Sequence, residues 1–437
     1  MFKYDYTYWS SPVYPQNLLA VSPISPTNLF LTFGAAWQYV ANPSTTIMIP
    51  SKGYAIRAPF YFNVGPLPPA TVYQAPFSGV PNNGDLSIGI LGGVSQMNLL
   101  GNPYPSALFA DDFITANPNV GGTLYFWTHN TPINAGQYAL NGDYASYNLS
   151  GGLAATNAGS GNTSQPLGYV ASGQGFFVKG LTNASAVFNN TMRRAGNNAQ
   201  FYRPATSVAT NDLERHRYWL NITNTEGAFK QALVAYIETA TLGLDRLFDG
   251  ELVAGANVIS LYTKVGTEKL SIQGRPLPFE VSDLVPLSYK STIASTYTIS
   301  MPQYDGLFTT QHVYLEDKLL NSIHDLTLNP YTFATEIGTF DDRFVLRYTT
   351  QTLGVNNPIF NDNTVIVYKN EQGLFVNAGN EIMKTVTIYD IRGRLIAIQK
   401  QVGKSTTVFT NLPTAQQVLL VKIEGENGGT VTKKVVF

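Results

Sequence analysis

Toward the end of the chain apolar and polar positions alternate in short, regularly punctuated runs. These are TVIVY (364–368), GLFVN (373–377), KTVTIYD (384–390), RLIAIQK (394–400), TTVFT (406–410), QVLLVKIE (417–424) and GTVTKKVVF (429–437), separated by Asn, Gly, Asp and Pro. A period of two gives a strand one apolar and one polar face, so the pattern predicts a seven-stranded Ig-like sandwich over 364–437. The alternation stops at Asp390–Gly393, where Asp can bond its own backbone and Gly can take positive φ, which predicts strand, tight turn, strand. In the last run Val431, Lys433, Val435 and Phe437 fall on one side, and Thr432, Lys434 and Val436 on the other.

Upstream the runs are shorter and helical periodicity is nearly absent. TTIMIP, GYAIRAPFYF, TLYFWTH and GQGFFVKG lie among Gly, Pro and Asn, which predicts a first β-sandwich module over 1–205. A second is expected over 213–352, from RHRYWLNITN (215–224) to DDRFVLRYTT (341–350). In that closing run Phe344, Leu346 and Tyr348 share one face and Arg343, Val345 and Arg347 the other, as in a half-buried strand. AFKQALVAYI, within 226–247, fits a helix or a strand, and its neighbours favour a strand. LGVNNPIFNDN (353–363) has linker composition. The whole is read as all-β, tandem sandwiches ending in a smaller one.

Charge separates the halves. Residues 1–200 hold six basic residues, five Asp and no Glu, although the whole chain balances 27 Lys+Arg against 28 Asp+Glu. That balance gives no electrostatic reason to expect nucleic acid as a partner. The absence of cysteine excludes disulfides, zinc–thiolate sites and cysteine nucleophiles. No run approaches the ~20 apolar residues of a membrane helix.

Catalytic constellations are sparse. His129, His216, His312 and His324 lack helical metal-site spacing, and no GxSxG, HExxH or Walker-type stretch occurs. No catalysis is therefore expected from residues 1–352. Asp111–Asp112 and Asp341–Asp342 offer hard oxygen ligands, which makes them weak calcium candidates; no other metal or cofactor is expected. Tyr4, Tyr6, Tyr8, Trp9, Tyr125 and Trp127 are the kind of residue that stacks on sugars, but β-rich cores also need aromatics. Most are assigned to the core, with the 138–147 loop the best exposed candidate for a glycan or other surface ligand.

The string TVTIYDIRGRLI, followed by NLP, VLLVKIEGENGG and a closing KKVVF, resembles the type A C-terminal sorting domain of proteins exported by the type IX secretion system of Bacteroidetes. The chain departs from that pattern at VYKNEQG, where a Pro-bearing VYPNP is common, and at LPTAQQVLLV, where Gly-x-Tyr usually follows the Leu. The segments PNNGDLSI, NLLGNPYPSAL, YFWTHNT and GDYASYN resemble a module found beside such domains in flavobacterial surface proteins, and YLEDKLLNSIHDLTLNPYTF resembles the domain that commonly precedes them.

The resemblance implies a sorting signal at Tyr389, Asp390, Gly393, Arg394, Leu412, Lys433, Lys434, Val435, Val436 and Phe437, and a cleavage linker at Val355, Asn356, Asn357 and Pro358. It implies three partners: the type IX translocon barrel, its outer-membrane shuttle protein and a sortase-like peptidase. Export would run through the periplasm to the cell surface or the extracellular space. MFKYDYTYWSSPVY lacks the pattern of a signal peptide, so the chain is expected to be the C-terminal part of a longer precursor. The parent is expected to be an adhesin or gliding-type surface protein; the alternative is a secreted hydrolase with its catalytic domain upstream.

Overall fold

The computed structural model describes residues 3–62, 73–128, 143–155, 165–198, 213–253, 257–350, 365–370, 373–379, 381–413, 417–426 and 428–437. It is mostly β, in two compact units, Met1–Thr350 and Gln351–Phe437. Among the described residues helix is confined to short pieces such as Leu18–Val21 and Ala110–Ala116.

The first unit contains a four-stranded sheet in the order Tyr6–Trp9, Tyr54–Arg57, Phe30–Phe33, Trp37–Tyr39. A five-stranded sheet runs Gly151–Leu153, Tyr144–Asn148, Val120–Trp127, Gly175–Gly180, Met97–Gly101. An eleven-stranded sheet takes up most of 215–347. The ambiguous run within 226–247 is the strand Phe229–Ile237, antiparallel to Arg215–Thr223 and parallel to Glu268–Pro276. It lacks polar alternation because both its faces are covered. Leu233, Ala235 and Ile237 enter a core shared with Phe113, Leu124, Phe176 and Phe188, while Ala232, Val234 and Tyr236 enter a second core with Leu261, Tyr289 and Phe344.

Residues 206–212, between the two expected modules, are outside the described residues, and the residues on the two sides of that segment share the first of these cores. Trp219 Nε1 donates to the Gly152 carbonyl at 2.8 Å, and Ser150 Oγ donates to the Phe248 carbonyl at 2.5 Å. A Cβ at Gly122 would stand 1.6 Å from the Arg246 carbonyl oxygen, so only glycine permits this approach of the two segments.

The strand Gly338–Arg347 corrects the half-buried expectation. Phe344, Leu346 and Tyr348 are buried as expected, but Val345 and Arg347 on the other face are buried too. The adjacent strand Tyr314–Asp317 makes this possible by supplying anions. Glu316 accepts from Arg347 Nη1 at 2.9 Å, and Asp317 accepts from Arg343 Nη2 at 2.9 Å.

In the second unit the described residues form seven strands in two sheets. One is ordered Ile366–Asn370, Gly373–Asn377, Thr406–Phe409, and the other Leu395–Lys404, Met383–Asp390, Val418–Gly425, Thr430–Val436. Each strand overlaps one alternating run of the sequence. The fully buried members of its core are aliphatic: Leu374, Val376, Ala378, Met383, Val386, Ile388, Leu419, Val421 and Ile423.

Candidate functional site

The residues singled out in the C-terminal unit occupy two places in the four-stranded sheet. At the turn after Met383–Asp390, one Asp390 carboxylate oxygen accepts from the backbone N–H groups of Arg392 and Arg394, each at 2.9 Å, and the other accepts from Arg394 Nε at 3.0 Å. Gly393, at φ +81°, donates its N–H to the Asp390 carbonyl at 3.0 Å. The Arg394 backbone N–H is the chief reason the Asp390 carboxyl is held below its ordinary range; the Arg394 side chain and the Arg392 N–H add to it. Asp390 therefore fixes the loop, and the turn presents Ile391 and the Arg394 side chain to solvent.

The closing strand, Thr430–Val436, pairs antiparallel with Val418–Gly425 and is an edge of its sheet. Val431 is buried, and Val435 and Phe437 pack on the aliphatic core, joined by Leu412. Thr430, Thr432, Lys434 and Val436 form the exposed row, with Val436 73% exposed. Phe437 exchanges two backbone hydrogen bonds with Gln417, and Lys369 Nζ lies 4.5 Å from the Phe437 ring centroid. No local pattern announces this cation–π contact, because Lys369 and Phe437 meet only when the two sheets pack. Tyr389 is half-buried beside the turn. Val355, Asn356, Asn357 and Pro358 lie outside the described residues.

The acidic candidates face protein groups. Asp111 accepts from Tyr147 Oη at 2.9 Å and lies 3.6 Å from Arg215; its burial outweighs that cation and pushes its carboxyl up to about 6. Asp112 pairs with Arg194 at 2.5 Å. Asp341 accepts from Tyr262 Oη at 2.8 Å and Lys264 Nζ at 3.0 Å. Burial works to raise its carboxyl, but Lys264 and Tyr262 hold it lower than usual. Asp342 is exposed. Among the described residues no three His, Asp or Glu converge.

Histidines are likewise engaged locally. His216 Nε2 lies 2.9 Å from Glu214, His312 Nδ1 2.6 Å from Asp325, and His324 Nε2 2.8 Å from the Asn329 carbonyl oxygen. His129 is outside the described residues.

Tyr8 and Tyr125 are buried, and Tyr6 and Trp127 pack on the same small core, with Tyr8 Oη 2.7 Å from Tyr144 Oη. Trp9 packs on a neighbouring core with Leu18 and Phe30. Of the 138–147 loop, 138–142 are outside the described residues and Tyr147 is buried. Tyr4 is different: its ring is partly exposed and faces Arg57.

No curated protein matches this chain. A solved structure of a biofilm associated protein, BSP domain, aligns over 81% of this chain at 11% identity, with a TM-score of 0.14 that is too low to relate the folds. The chain spans 66% of that structure's length. Residues 353–437 match a family described as a domain of unknown function (DUF8694). Residues 1–348 match another such family, and the chain belongs to it: the domain of unknown function DUF8693.

Proposed function

We propose that residues 364–437 are the export label of a type IX-secreted cell-surface protein, directing passage across the outer membrane and surface attachment, and that the preceding β unit is a structural part of an adhesin or gliding-type parent. One observation carries the reading. The segment whose motifs resemble the sorting family is a compact unit of its own, with a hydrogen-bonded turn at Asp390 and a closing strand that, among the described residues, is an edge of its sheet.

An unpaired edge can add to a partner's sheet, with main-chain bonds giving affinity and alternate side chains giving selectivity. The reading assigns the export machinery to that edge, with Lys433 and Lys434 as its charge signature and Val436 as its exposed apolar side chain, while Val435 and Phe437 hold the strand on its own core. The partners are the translocon barrel, the shuttle protein and the sortase-like peptidase, with cleavage at the linker holding Val355 to Pro358.

The test is secretion of the Lys433→Ala/Lys434→Ala double variant in a type IX-competent host, alongside Val421→Asp, which places a charge in the aliphatic core. The double variant is expected to fold and to be exported poorly. Normal export of it together with failed export of Val421→Asp would mean that the machinery needs only a folded domain.

A further inference from the structure

The first 200 residues carry only six cations, so the environment of each can be followed. Lys179 pairs with Glu251 and Arg194 with Asp112. Arg193 bonds Ser106, Asn83 and Asn190. Lys52 lies against the Tyr54 ring, and burial lowers its pKa. Lys3 and Arg57 remain, and they occupy the same corner. The Arg57 guanidinium is 4.7 Å from the Tyr4 ring centroid and 5.6 Å from that of Phe60. Lys3 Nζ is 5.9 and 5.8 Å from the same two centroids.

Among the described residues neither cation has a carboxylate within ion-pair distance, and Arg57 Nε is buried with no hydrogen-bond partner. Like charges repel, and ring faces compensate a cation only in part. Asp5 is the acid nearest in the sequence, and its backbone carbonyl accepts from the Ala58 N–H at 2.8 Å; two positive groups gathered on two rings, with no ion pair to either, make a place where an anion is stabilised.

The ring beside them narrows the ligand. Phe60 is 54% exposed and Tyr61, next in the chain, 67% exposed, so flat apolar surface lies open beside the cations. A guanidinium presents parallel N–H groups that match a carboxylate, and an aromatic face accepts the C–H face of a sugar ring. A hexuronate unit has both features on one pyranose. The corner arises from the fold, because Tyr6 pairs with Arg57 across adjacent strands and brings residues 3–4 beside 57–60.

We propose that Lys3, Tyr4, Arg57 and Phe60 form a binding site for the carboxylated sugar units of an acidic polysaccharide. Arg57 and Lys3 hold the carboxylate, and Phe60 takes the ring face.

The test is calorimetric titration of the full chain with an oligogalacturonate, a neutral oligogalactan of the same length, and inorganic sulfate. The uronate is expected to bind, less tightly as salt rises. Arg57→Ala should weaken it by about tenfold or more, the scale of losing one charge-assisted hydrogen bond, Phe60→Ala should weaken it by up to about tenfold through the lost stacking face, and Arg57→Lys should keep part of the affinity. Phe60→Ala and Lys3→Ala alter the rim of the corner and serve as the test if Arg57→Ala fails to fold. No uronate binding, equal binding of the neutral oligomer, binding of sulfate alone, or full affinity in the variants would each overturn the proposal.

Discussion

The two units place charge differently. In residues 1–350 ion pairs penetrate the interior: Arg343–Asp317, Arg347–Glu316 and Arg275–Asp283 each bury at least one partner. Tyr218, Tyr348 and Tyr236 link by hydroxyl contacts of 2.8 Å that end on Asp283. In the C-terminal unit the fully buried core is aliphatic, and its described pairs are local: Arg394–Asp390, four positions apart with the guanidinium exposed over a buried carboxylate, and the surface pair Lys422–Glu424, two apart. A buried pair costs desolvation that only good geometry offsets, whereas an aliphatic core needs volume and pattern alone. The first unit therefore depends on particular long-range partners, and the second on its alternation.

The largest effect that separates them is Asp317→Ala. It strands Arg343 and should lower the stability of the first unit by about 4 kcal/mol, leaving the transition of the second unchanged in calorimetry. The converse is Ile388→Ala, which hollows the aliphatic core at a cost of about 3 kcal/mol and should shift only the second transition.

Acidity divides the units next. Asp111 and Asp249 are pushed up to about 6, chiefly by burial, so the folded first unit holds protons that an unfolded chain releases near pH ~4. Its stability should fall as pH rises from about 4 through about 6, by roughly 3 kcal/mol per group, and then level off. The shifted acids of the second unit, Asp390 and Glu424, are lowered, so their contribution is lost only as pH falls below about 4. Thermal melts at pH 4.5 and 7 should separate the two responses; parallel shifts would remove the distinction.

Smaller still is Asp390→Ala, which frees the turn and should lower the second melting temperature by less than Ile388→Ala does. Lys434→Ala should leave that melt unchanged, because an exposed charge contributes little to stability, and Lys433→Ala/Lys434→Ala, with Lys433 half-buried, should lower it by less than Asp390→Ala does.

What could be read from the sequence follows the same division. All seven C-terminal strands and the Asp390 turn rest on local signals, a period of two and an Asp–Gly turn, and each is in place. In the first unit, the strand at 229–237 is legible only from its neighbours, because a strand covered on both faces has no polar alternation of its own. The burial of Arg347 was missed because its partner Glu316 lies on another strand. Asp111 and Asp112 looked like an open acidic pair because Arg215 and Arg194 reach them only in the folded chain. The Lys3–Arg57 corner was invisible for the same reason: the two cations lie 54 positions apart and meet through strand pairing.

The central claim is that the C-terminal unit acts as an autonomous export label. The direct measurement is to fuse residues 363–437 to a fluorescent passenger that already carries an inner-membrane signal, and to locate the label in a type IX-competent host. The account predicts fluorescence at the cell surface or in the medium; retention in the periplasm would contradict it.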